Sequence, residues 1–229
     1  MTQIETNTTV QTTGATTSGR PRWPLYGAAA GVLGFVATLV LDVRPGGEEV
    51  SISDKLFDDL SPLPYRLSML FGYAAVVALL LLAASWRRHV EPRLAASTAV
   101  HLVPLGLLAS AAGLTYGYGW KGALGLYMPG GLEEGSYDTQ GLYVYYLLND
   151  FGSFIGWLGV VVAAGAVAWM GLRERTVSRW VGVVSVIPVL QTTLMLIGLG
   201  VPGVQGLLAP IWLMVVGLGL TFGKHTITR

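Results

Sequence analysis

The charges of this chain sort by position between its apolar runs, and that sorting restricts the fold more than any other feature. Six apolar stretches follow one another: Trp23–Leu41, Leu67–Trp86, Leu94–Tyr116, Phe151–Leu172, Val181–Gly200 and Val204–Phe222. The segments around them alternate: basic, acidic, basic, acidic, basic, uncharged, basic. A helix rising about 1.5 Å per residue needs roughly 20 residues to cross a hydrocarbon layer of about 30 Å. Each run is close to that length. Backbone groups in lipid must pair within their own segment, and nothing alternates as barrel strands do. The expected fold is all-α, a bundle of six transmembrane helices over residues 23–222.

Lysine and arginine set the expected orientation. Arg20, Arg22, Arg87, Arg88, Arg93, Arg173, Arg175, Arg179, Lys224 and Arg229 fall on one side, ten of the 14 basic residues. Arg44, Lys55, Arg66 and Lys121 fall on the other. Of the acids, only Glu5, Glu91 and Glu174 share the basic side. That side is expected to face the cytoplasm, with both termini there: a tail over 1–22 and a short one over 223–229. Tyr65, Tyr116, Tyr118, Tyr127, Tyr137, Tyr143, Tyr145 and Tyr146 gather near the other face. Trp23, Trp86, Trp169 and Trp180 gather near the basic one, as interfacial belts do. No small-x-small cleavage site precedes Asp42, so the first run reads as a retained helix rather than a signal peptide.

Composition closes off several classes. Only 12% of residues are charged, about half the share in soluble domains. The mean hydropathy is +0.58 and the net charge +1, with no basic excess suited to nucleic acid. Cysteine is absent, which removes disulfides, thiolate metal sites and cysteine nucleophiles. No His-Glu-x-x-His or Gly-x-Ser-x-Gly pattern occurs. A haem held by two histidines needs two at depth, and His89 and His225 lie in basic segments, leaving His101 alone. No cofactor is expected.

Outside the runs, residues 1–19 hold eight threonines and little charge, a composition that reads as a disordered tail. The acidic loop 42–66 carries Ile52, Leu56, Phe57 and Leu60 at helical spacing, so a short amphipathic helix capped by Ser51 is expected there, ended by Pro62 and Pro64. Asp54 and Asp58 on it form a weak divalent-cation candidate; a solvated acidic face is the favoured reading. The loop 117–150 contains Met128-Pro129-Gly130-Gly131, a turn signal, and with the first loop is expected to cover the bundle.

Two polar groups stand out. An ionisable side chain in lipid is costly and marks a candidate site. His101, seven residues into the third run, is expected about 10 Å deep by helical rise. Gln191 and Thr192 fall at similar depth in the fifth run, with Pro104 and Pro188 nearby, so a His101–Gln191 contact is expected if the third and fifth helices are neighbours, as packing glue in the favoured reading and as a substrate or proton site in the other. The second group lies at the acidic rim: Asp42, Arg66, Asn149 and Asp150, where Arg66 is expected to pair with Asp150 or Asp42. Gly27 and Gly31, and Gly152 and Gly156, have the four-residue spacing of close helix contacts.

The stretch Leu148-Asn149-Asp150-Phe151-Gly152, on through Ile155-Gly156-Trp157, resembles a domain-of-unknown-function group of multipass integral membrane proteins of bacteria. Gly171-Leu172-Arg173 and Arg179-Trp180-Val181-Gly182 share that resemblance, with Ser178 where the group has proline. It covers the fourth and fifth runs and implies a bacterial plasma-membrane protein of about six helices, without an activity. The functional expectation is a non-enzymatic scaffold or accessory protein. Its partners would be the lipid bilayer and another membrane protein. The alternatives are a small-solute transporter or channel, and an intramembrane enzyme acting on lipid.

Overall fold

A computed structural model describes residues 21–43, 57, 60–201, 204–223 and 227. Among these, all regular elements are helical apart from an isolated bridge between Val177 and Ile227. The helices are α1 Leu25–Phe35, α2 Pro62–His89, α3 Thr98–Tyr127, α4 Thr139–Ile155, α5 Leu158–Trp169, α6 Arg179–Leu194 and α7 Gln205–Phe222. Among the described residues, five helical rods are long and apolar enough to cross a membrane: Pro62–Arg93, Thr98–Tyr127, Thr139–Glu174, Arg179–Leu199 and Gln205–Phe222. The first, Leu25–Val40, is shorter.

Several boundaries differ from the sequence expectation. Pro62 and Pro64 open α2, where Ser61 caps by accepting from the Leu63 N–H; the short helix they are expected to end lies outside the described residues. Proline suits a first helical turn, where its missing N–H has no intrahelical partner to lose. α3 starts later than expected, at Thr98 behind the cap Ser97, and runs on to Tyr127. α4 begins at Thr139 behind the cap Asp138. The expected loop 117–150 is therefore helix at both ends, with its turn confined to the stretch around Met128-Pro129-Gly130-Gly131. Apolar content fell below a spanning average in these segments, yet tertiary packing keeps them helical. Ser51, Ile52, Asp54, Leu56, Asp58 and residues 1–19 lie outside the described residues. Phe57 and Leu60 are described and buried, packed with Tyr65, Leu124, Met128, Leu142 and Tyr146 at the acidic end.

α3 is the central rod. It packs against α2, α4 and α5; α1 packs between α2 and α7, and α6 rests on α5 and α7. Small residues set these crossings. A Cβ on Gly106 would sit against the Gly159 carbonyl, one on Gly113 against Gly156, and one on Gly117 against Gly152. Glycines thus face each other down the α3 seam, letting two backbones approach as helices in lipid do. Ser110 sits in the same seam, and its Oγ accepts from the Val160 N–H at 2.8 Å. Gly31 faces Pro210 and Met214 of α7, so the four-residue spacings noted in the sequence do mark packing faces.

α4 and α5 form one rod broken at Gly156-Trp157. The break turns Trp157 inward, fully buried against Gly34, where any side chain on α1 would collide with the indole. α1 itself ends in a widened turn, Val36–Val40, with the i→i+5 bonding of a π-helix. Such turns are rare and recur at functional sites.

Candidate functional site

The polar groups that the fold buries concentrate toward the acidic end. The widened turn of α1 places Thr38, fully buried, where Tyr118 of α3 and Trp157 meet it. The Thr38 and Tyr118 hydroxyls bond at 2.8 Å, and Trp157 Nε1 donates to Thr38 Oγ1 at 3.2 Å. Ser68 of α2 donates to the Ala37 carbonyl at 2.6 Å, a carbonyl in the same widened turn. One turn beyond Tyr118, Lys121 extends its ammonium to Asp42 Oδ1 at 2.6 Å. The lysine side chain is 0% exposed and the aspartate 8%. Tyr65, also fully buried, donates to the Val43 carbonyl at 2.8 Å.

This ion pair was not anticipated. The sequence expectation puts Lys121 in the loop 117–150; the structure puts it in α3, which runs to Tyr127. Asp42 was expected to meet Arg66. Instead Arg66 is half-buried, and its Nε donates to the Gly125 carbonyl at 3.2 Å. Among the described residues it pairs with neither Asp42 nor Asp150. The physical reason lies in reach: α3 continues as helix past Tyr116, so Lys121 rather than Arg66 projects at the level where α1 ends. Tyr65 and Tyr118, expected in an interfacial belt, are likewise core residues.

Asn149 and Ser153 lie on the face of α4 toward this cluster. The Gly117–Gly152 contact fixes the antiparallel register of α3 and α4. One turn from it along each helix are Lys121 and Asn149. Asn149 is 2% exposed and Ser153 0%, and Asn149 Oδ1 and Ser153 Oγ have no hydrogen-bond partner. Arg66 also keeps one buried guanidinium nitrogen without a partner. Unsatisfied buried groups are rare in folded proteins and mark strain, unseen water or a ligand position. Asp150 is half-buried next to Asn149. Of the expected rim cluster, then, Asp42 joins the buried network through Lys121, Asn149 is buried with its Oδ1 unbonded, and Arg66 bonds the Gly125 carbonyl instead.

The second expected group does not assemble. His101 lies in the first turn of α3, since the helix starts at Thr98, and it is exposed rather than deep. Its Nε2 is 3.2 Å from the Ala95 carbonyl and its Nδ1 3.7 Å from Glu91. Gln191 is far along α6 and donates from Nε2 to the Val204 carbonyl at 3.3 Å. The expected His101–Gln191 contact is therefore absent. The reason is the packing order: α5 packs against both α3 and α6 and separates them, and α3 starts at Thr98, so His101 sits near the basic end. Thr192 is 4% exposed and Gln205 2%, and both have a side-chain oxygen without a partner.

The basic half of the bundle is mostly apolar, with Ser185 and Thr221 among its few buried polar side chains. Leu82, Trp86, Val100, Val103, Leu107 and Val167 pack there, all buried. Trp86 Nε1 is satisfied by the Val100 carbonyl at 3.0 Å. A cavity of about 30 Å³ lies between Trp23, Leu82, Trp86, Leu107 and Trp212. It has the size of a water site, yet its walls are almost wholly apolar, so it stays dry. No group of three or more metal-ligating side chains occurs among the described residues.

Comparison with protein-family models, curated proteins and solved structures returned no match to this chain.

Proposed function

We propose that this chain is a six-span bacterial plasma-membrane protein with both termini in the cytoplasm. It acts as a non-enzymatic scaffold or accessory component whose outer half is locked by buried polar contacts. The observation that carries the reading is the match between Lys121 and Asp42. The costliest charges inside the bundle neutralise each other within the chain, and the core beneath them is dry and apolar. A solute path would need polar lining through that inner half. A charge in lipid that is paired within its own chain is a means of fixing helix positions. The alternation of basic and acidic segments supports the orientation, and α1 takes the part of the first span.

The absence of cysteine from the natural sequence makes the test direct. Single cysteines at Val103, Leu107 and Val160 are probed with a membrane-impermeant thiol reagent from each side of sealed vesicles. The expected result is no labelling from either side. Labelling of Leu107→Cys from both sides would establish an alternating path and replace the scaffold reading with transport. Reporter fusions at residue 50 and at the carboxyl end should report opposite compartments.

A further inference from the structure

Two open troughs lie side by side on the lateral surface near the basic end, and Trp169 stands between them as a ridge. One trough, of about 370 Å³, runs between α5 and α6 along Gly165, Leu172, Val186 and Val189 and ends at Arg173. The other, of about 600 Å³, runs between α3 and α5 along Leu102, Val162 and Gly165 and ends at Ser97, Thr98 and Glu174. Both volumes fall within the range of about 300–1,000 Å³ common to small-ligand sites. Gly165 belongs to both troughs. Its missing side chain opens them, since a Cβ there would meet only Val189, at 3.6 Å. Trp169 is 55% exposed.

The polar ends are adjacent residues of opposite charge. Arg173 is exposed and has no partner among the described residues. Glu174 is half-buried and held in place by Ser97, which donates to its Oε2 at 2.7 Å, leaving the second carboxylate oxygen to accept. Both residues lie in the widened turn Met170–Glu174, Arg173 lining one trough and Glu174 the other.

We infer that this surface binds one zwitterionic aminophospholipid, its two acyl chains straddling Trp169. Arg173 would hold the phosphate and Glu174 the primary ammonium. The charge order fits that head group better than its relatives. A glycerol head group offers the carboxylate no cation. A choline head group offers a cation that cannot donate a hydrogen bond, and charge-assisted hydrogen bonds are the strong ones. A purely basic mouth would favour anionic lipid; Glu174 is what changes the preference.

The test is native mass spectrometry of the full chain released from detergent. Dioleoyl phosphatidylethanolamine, phosphatidylglycerol and phosphatidylcholine are added in turn. The ethanolamine lipid should be retained most, as a single bound molecule. Arg173→Gln and Glu174→Gln, both near the surface, should each weaken retention by about three-fold, the scale of an exposed charge contact. Gly165→Leu should fill the troughs and abolish it. Equal retention of all three lipids, or indifference to Gly165→Leu in a variant of unchanged melting temperature, would overturn the proposal. So would a dimer that buries Trp169 against a second copy. Recovery of the chain from water without detergent would instead remove the membrane setting itself, a separate result from blindness to the head group.

Discussion

The two halves of this bundle are held by different means. Toward the acidic end, buried polar side chains link α1, α2, α3 and the α4–α5 rod: Asp42 with Lys121, Thr38 with Tyr118 and Trp157, Ser68 with a backbone carbonyl. Toward the basic end, Leu82, Val103, Leu107 and Val167 form an apolar core, and its buried polar contacts are neutral: Trp86 with the Val100 carbonyl and Trp212 with Ser185. In lipid an apolar surface gains little by leaving its surroundings, so the apolar half rests on close fit, and glycines supply that fit along α3. The polar half rests on interactions that specify a partner. The lesson is that register is set at one end and closeness at the other.

The comparison can be broken most severely at Lys121. Lys121→Ala leaves Asp42 buried without its cation, and losing one partner of a buried pair costs about 3–5 kcal/mol. A large fall in melting temperature in detergent is expected. The double variant Asp42→Asn with Lys121→Met should recover most of it, because no lone charge remains. A Lys121→Ala protein as stable as the parent would remove the lock from the account. In the apolar half, Leu107→Ala should cost about 2–5 kcal/mol through the cavity it leaves, and no second substitution of charge should restore it. Rescue by a polar residue there would show that the halves are not distinct. The smallest effect is expected at His101. It is exposed at the start of α3, so His101→Ala should change stability by no more than about 0.5 kcal/mol. A loss of several kcal/mol would return the histidine to the interior.

How much of this was readable beforehand depends on the interaction's range in sequence. Helical class and most of the apolar rods follow from composition and run length, which are local properties. Gly152 and Gly156 were legible as a packing face from spacing alone. Asp42 and Asn149 were legible as rim residues because charge and amide at a span end are unusual. Lys121 was not. Its local surroundings are glycine and aromatic residues, and only a partner 79 positions away makes a buried helical lysine tolerable. His101 failed for the opposite reason. Its local surroundings suggested depth, but the cap at Ser97 starts the helix late and leaves the ring at the rim.

The sequence by itself determined that this chain forms long apolar helices with most of its arginines gathered at one end, because hydropathy and charge act residue by residue. Only the tertiary structure decided which polar groups are buried together. That choice depends on where each helix begins, where α1 widens and where the α4–α5 rod breaks, and each of these is fixed by contacts between segments far apart in the chain. An ion pair such as Asp42–Lys121 exists only once those helices have met.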